Sequence, residues 1–198
     1  MSEYSSLKKY RMTDLFIWGL ILCVFEIVVL KAGTSLFPSQ PYTVSLVPAV
    51  VAIVYMRWGL YGMAHAFLGG VVICLASGLE TGLKQVAVYA FGNLLSAIVL
   101  LWLKGREKDI RDSVLLSAIF ASAVALLMQV GRGVVSLILG DTISGAISFV
   151  ATDVLSGVFA IILVLIARKM DGVFERQISY LLRVQEAEKE ARSEGEGY

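Results

Sequence analysis

The sequence predicts an all-α integral membrane protein. The expected form is a compact bundle of six transmembrane helices, both termini cytoplasmic, with a cytoplasmic helical tail. Three observations predict it. Hydrophobic residues make up 58% of the chain and charged residues 17%, a balance more apolar than a soluble domain carries. Several uninterrupted stretches approach the roughly 20 apolar residues that a spanning helix needs. Lys and Arg are sorted unequally between alternate connections, as in a polytopic chain.

Residues 2–12 are polar and basic, with Lys8, Lys9 and Arg11. Span one is expected from Thr13 to Leu30. No small-residue cleavage signature follows it, so it reads as a span rather than a removable signal peptide. Lys31 to Tyr42, with Pro38 and Pro41, forms a loop. Span two is short, Thr43 to Tyr55 with Pro48 inside it, and ends at the turn Met56-Arg57-Trp58-Gly59. Span three covers Leu60 to Leu79, and Glu80 to Lys84 makes the next turn. Span four covers Gln85 to Leu103, and a charged loop, Lys104 to Asp112, leads to span five, Ser113 to Leu139. A small polar turn, Gly140 to Gly145, precedes span six, Ala146 to Ala167.

The transmembrane domain is thus expected over residues 1–170 and a tail over 171–198, frayed at its end. Val173, Phe174, Ile178, Leu181, Leu182 and Val184 repeat in that tail at helical spacing. Two readings stand: a helix lying on the inner membrane surface or on a partner, and a solvated extension of span six.

Lys8, Lys9, Arg11, Arg57, Lys104, Arg106, Lys108, Arg111 and the basic tail fall on one side of these spans. Lys31 and Lys84 fall on the other. The first side is therefore expected to be cytoplasmic. The net charge of +1 carries no sign of a nucleic-acid partner. There is no Gly-rich phosphate loop, nucleophile elbow or His-Glu-x-x-His, so no enzyme, cofactor or metal centre is expected. Cys23 and Cys74 lie in apolar runs and read as small packing residues. His65, the single histidine, reads either as an interhelical hydrogen bonder or as a proton relay.

Gly62, Ala66, Gly70, Cys74 and Gly78 recur every four residues and line one face of span three. Gly19 and Cys23 are a shorter version on span one. Such a ridge admits another helix at close range, either a partner subunit or a neighbour in the same bundle.

Arg132 is the only charge between Val114 and Leu139. A guanidinium stays protonated and is costly at bilayer depth without a partner or a water-filled cavity. Counting about 1.5 Å per residue along each span places Glu26, Tyr89, Asn93, Gln129, Arg132 and Asp153 in the outer half. The inner halves read as almost purely apolar. An ion pathway needs polar groups along the whole depth, whereas a one-sided cluster suits a pocket open to the outside. These six residues are the candidate substrate-binding set. Arg132 forks onto a carboxylate or phosphate of a ligand, or joins helices through Glu26 or Asp153. Gly131 and Gly133 are expected to loosen the helix around it.

Certain motifs resemble those of a known family: Tyr55-Met-Arg-Trp-Gly59, Ala64-His-Ala-Phe-Leu-Gly-Gly70 with Ala76-Ser-Gly78, Tyr89-Ala-Phe-Gly-Asn93, Met128-Gln-Val-Gly-Arg132, Thr152-Asp153 and Arg168-Lys-Met-Asp-Gly-Val-Phe-Glu175. Together with the short second span they make the chain similar, over nearly its whole length, to the substrate-binding S components of energy-coupling factor (ECF) vitamin transporters. The resemblance implies capture of a vitamin-like small molecule outside. It also implies docking on a transmembrane T component driven by two cytoplasmic ATPase subunits, and release of the cargo inward. The family docks through small residues on span one, a spacing held here by Gly19 and Cys23. It holds its ligand under the loops at Lys31 to Tyr42, Glu80 to Lys84 and Gly140 to Gly145. A structural membrane scaffold recruiting partners through its tail, and an ion or proton carrier using His65, are the competing readings.

Overall fold

The structure, a computed structural model, describes residues 2–36, 44–77 and 82–195. Helix α1 runs Ser2–Leu36, α2 Val47–Trp58 and α3 Gly62–Ala76, with a 3-10 turn, Gly59–Tyr61, between the last two. Helix α4 (Leu83–Gly92) passes through a 3-10 stretch, Asn93–Ile98, into α5 (Val99–Leu103). Then come α6 (Glu107–Asp112), α7 (Val114–Ile138), α8 (Ile143–Thr152), α9 (Val154–Ala167) and α10 (Gln177–Gly195). No strand occurs among the described residues.

Among the described residues, five segments are long and apolar enough to cross a membrane: Leu7–Gly33, Val47–Ala76, Leu83–Leu103, Val114–Ile138 and Ile143–Ala167. The protein is an all-α membrane protein. The segment Val47–Ala76 is folded back on itself. Gly59 adopts φ +60°, a conformation that costs glycine little, and breaks the helix there. A side chain at Gly62 would strike the Tyr55 ring, and one at Gly69 would strike Val47. These two contacts mark α2 and α3 as an antiparallel hairpin in which side chains of α2 pack directly onto the glycine backbone of α3. The 12 residues of α2 rise only about 18 Å, short of a ~30 Å hydrocarbon core.

Helix α2 lies at the centre of the bundle, packed on α1, α3, α7 and α9. The reason is in its residues. It is apolar on every side up to Arg57, so no face of it gains from exposure. By contrast α1 presents Phe16, Leu20, Val24 and Phe25 outward, as a lipid-facing helix does.

Several expected boundaries move. Helix α1 extends through the basic head and past Leu30 to Leu36, so the expected first loop begins later. The remainder of that loop, residues 37–42, and residues 80 and 81 of the next turn lie outside the described residues, as does Gly78 of the small-residue ridge, while Leu83 and Lys84 of that turn already belong to α4. The charged loop holds a helix, α6. The tail helix starts at Gln177 rather than Asp171. Phe174 is not on its stripe but buried against Phe120, with ring centroids 6.2 Å apart. Gln177 is fully buried too, so the bundle's packing continues past residue 170.

Candidate functional site

Helices α4 and α7 cross at a pair of glycines. A Cβ at Gly92 would fall 2.6 Å from the Arg132 Cα, and one at Gly131 would run into the Gly92 carbonyl. Gly133 likewise faces the Ala146 backbone of α8. The expectation that these glycines loosen span five is therefore corrected: α7 is continuous through them, and they serve close approach. The breaks come elsewhere, at Asn93, where α4 tightens into the 3-10 stretch, and at Asp153, which separates α8 from α9.

This crossing places Arg132, 2% exposed, next to everything it binds. Its Nε donates to Asn93 Oδ1 at 2.8 Å, and its Nη1 donates to Gln129 Oε1 at 3.2 Å and to Asp153 Oδ2 at 3.0 Å. The Tyr89 ring lies under the guanidinium, 4.5 Å from Cζ to the centroid. Gln129 Nε2 also donates to Asp153 Oδ2, and Ser156 Oγ donates to Asp153 Oδ1. Of the two internal partners considered for Arg132, Asp153 is the one that pairs with it.

From there the network runs to the start of α2. Ser156 Oγ accepts the Ser45 backbone N–H at 2.9 Å, and the next N–H, of Leu46, is taken by Glu26 Oε2 at 2.6 Å. Leu46 supplies no side-chain cap of its own, so a carboxylate from α1 satisfies the orphan donor at the start of α2, where the helix dipole favours an anion. In the other direction, Asn93 Nδ2 donates to the Ala66 carbonyl at 3.0 Å, Ser96 Oγ to the Asn93 carbonyl at 2.6 Å, and Tyr55 Oη sits 2.9 Å from Ser96 Oγ.

All six expected residues thus belong to one assembly. Tyr89, Asn93, Gln129, Arg132 and Asp153 are in direct contact, and Glu26 joins through Ser45 and Leu46. Ser45, Ser96 and Ser156 are members that residue type alone did not single out. A serine in a span is ordinary, and only the fold shows which serines point inward.

Among the described residues, two buried atoms of this assembly have no hydrogen-bond partner: Arg132 Nη2 and Glu26 Oε1. Arg132 spends three of its five N–H groups, and both of those on Nη2 remain.

The face expected to meet a partner subunit is corrected in part. Gly62 packs on Tyr55, Ala66 is fully buried, and Gly70 lies against the Tyr89 and Ala90 backbone of α4. These three are covered by the chain's own helices. Gly19, facing His65 and Leu68, and Cys23 are half-buried at the edge of α1. His65 Nε2 lies 2.9 Å from the Leu15 carbonyl, an α1–α3 hydrogen bond.

The opposite end holds a second polar network that the sequence reading missed. Arg57, 7% exposed, forks onto Asp14, with Nη2 to Oδ1 at 2.6 Å and Nε to Oδ2 at 3.0 Å. Trp58 Nε1 donates to the same carboxylate at 2.6 Å, and Arg57 Nη1 donates to the carbonyls of Gly172 and Val173. Tyr10 Oη donates to Gln177 Oε1 at 2.9 Å, which sets the head of α1 beside the start of the tail. Glu175 accepts from both Arg111 and Arg183. The hydrogen bond to Asp112, then that to Glu175, raises the Arg111 pKa further above its already high ordinary value. The half expected to face inward is therefore not purely apolar. Asp14 and Arg57 sit 43 residues apart, and no local spacing connects them.

Compared with known proteins, the chain matches no family model, no curated protein and no solved structure.

Proposed function

We propose that the protein is the substrate-binding S component of an ECF-type importer in a bacterial cytoplasmic membrane. In this reading the α2–α3 hairpin counts as two crossings, giving six, with both termini cytoplasmic and the Arg132 assembly toward the outside. A small vitamin-like molecule is captured there and delivered inward with a T component and two ATPases. The observation that carries the reading is the pair of orphaned buried atoms, Arg132 Nη2 and Glu26 Oε1. Leaving a buried hydrogen-bonding group unsatisfied costs about 1–3 kcal/mol, more for a charged one. A fold that satisfies the rest of this network yet leaves a donor and an acceptor open keeps them for a ligand. The lack of a phosphate loop agrees with ATP hydrolysis being left to other subunits.

The test is native mass spectrometry of protein purified from its own membranes, wild type against Arg132→Ala. The reading expects a retained small molecule and co-purifying ATPase subunits with wild type, and loss of the molecule from a folded Arg132→Ala variant. Equal retention by both would sink the pocket assignment.

A second reading, a membrane scaffold, draws on one specific observation: Asp153 already pairs with Arg132 inside the protein. It expects function to survive replacement of that pair by neutral residues and to be lost on deleting residues 178–198. The importer expects the reverse.

A further inference from the structure

A cavity of about 670 Å³ opens at the basic end of the bundle, far along α2 from the Arg132 assembly. Its volume is within the usual range of small-molecule sites, about 300–1,000 Å³. Met56, Leu60, Leu100 and Leu103 supply apolar wall, and Arg11 and Lys104 supply charge. The other two cations on the lining are already paired: Arg57 with Asp14, and Arg176 with Glu107 at 3.4 Å. Arg11 and Lys104 have no ion pair among the described residues. Arg11 is held in place by the Tyr61 ring, 4.3 Å from its Cζ, and its Nε is buried without a hydrogen-bond partner among the described residues.

The position of the cavity matters as much as its chemistry. Leu103, on its lining, is where the membrane-spanning segment Leu83–Leu103 ends, and Arg11 is the last cation before the long apolar run of α1. Lys104 is the first residue past that boundary. The cavity therefore straddles the level at which hydrocarbon gives way to headgroups, with apolar wall on one side and two uncompensated cations on the other. Leu60 and Tyr61 at its edge are well exposed, as groups in contact with acyl chains are.

We propose that this cavity binds an anionic phospholipid, its phosphate between Arg11 and Lys104 and the first carbons of its chains against Leu60, Leu100 and Leu103. A zwitterionic lipid carries its own ammonium beside the phosphate and brings no net charge to the two cations, whereas an anionic lipid brings a net negative one. A free phosphate leaves the apolar wall uncovered. The site is independent of the importer reading, since it uses neither the Arg132 assembly nor any transport step.

The experiment is native mass spectrometry of the full chain in detergent, offered equal amounts of phosphatidylglycerol and phosphatidylcholine with identical acyl chains. Preferential retention of phosphatidylglycerol is expected. Arg11→Gln and Lys104→Gln are each expected to lower that retention about fivefold, from ~1 kcal/mol per basic residue at a membrane surface. Lys8→Gln, off the cavity lining, is the control and retains the preference. Lys104 is exposed, so its variant carries the test even where Arg11→Gln does not fold. Equal retention of the two lipids, or unchanged preference in Lys104→Gln, overturns the proposal. Displacement of the lipid by millimolar inorganic phosphate also overturns it, by making the site one for the free anion. So does a polypeptide photo-crosslinked through Leu60 in cells with no lipid preference.

Discussion

Asn93 and Arg132 form a relay between three helices. Arg132 Nε donates to Asn93 Oδ1 at 2.8 Å while Asn93 Nδ2 donates to the Ala66 carbonyl at 3.0 Å, so one fully buried amide ties α7 to α3 through α4. Asn93→Leu keeps the approximate shape and removes both bonds, leaving the guanidinium short of an acceptor. A hydrogen bond to a charged group contributes about 1.5–3 kcal/mol. A loss of that size is expected in the detergent-solubilised protein, read from its unfolding midpoint in denaturant. An unchanged midpoint would show that the relay contributes nothing.

The Arg132–Asp153 pair gives a sharper test, because its two halves fail differently. Asp153→Ala strands a buried guanidinium, and breaking a buried pair from one side costs about 3–5 kcal/mol. Replacing both, Arg132→Met with Asp153→Leu, removes the stranded charge and is expected to recover most of that loss. The double variant is then folded but lacks the Nη2 donor, and so separates stability from ligand retention. A double variant as unstable as Asp153→Ala would contradict this account.

Glycines on the same helices are expected to differ in tolerance. A methyl at Gly131 collides with the Gly92 carbonyl, whereas at Gly157 it meets only Ala125 Cβ at 3.8 Å, ordinary van der Waals distance. Overpacking costs about 1–3 kcal/mol and more where backbone must move. Gly131→Ala should therefore lower the thermal midpoint markedly and Gly157→Ala hardly at all. Equal midpoints would mean the α4–α7 approach is looser than the geometry describes.

The basic end predicts where the tail becomes dispensable. Phe174 is 1% exposed, and a buried Phe→Ala change costs about 3–5 kcal/mol. Truncation after Met170 is expected to destabilise the bundle by removing Phe174 and the Gly172 and Val173 carbonyls that Arg57 uses. Truncation after Arg183 keeps all of them and is expected to leave the midpoint in place. Arg57→Lys should weaken the same end, since an ammonium does not reproduce the fork onto Asp14. The unfolding midpoint in denaturant reads all three.

Much of this protein was legible in the residue order. Apolar runs of spanning length are a one-dimensional property, set by the cost of exposing backbone in hydrocarbon, and they appear in the structure close to where they were expected. The oddity of Arg132 is likewise one-dimensional, since a charge inside such a run demands a partner wherever the chain goes. Counting residues along each span even brought Glu26, Tyr89, Asn93, Gln129 and Asp153 to its level. The choice of partner was not in the sequence. Glu26 and Asp153 are both carboxylates at that depth, and only the α4–α7 crossing at Gly92 and Gly131, with the break at Asp153, decides that Asp153 pairs with Arg132 while Glu26 caps α2. Nor could residue order show that Asp14 and Arg57 meet, or that the ridge of Gly62, Ala66 and Gly70 is covered from within. Those are contacts between distant segments, and close packing in three dimensions selects among them with no periodicity along the chain to announce the choice.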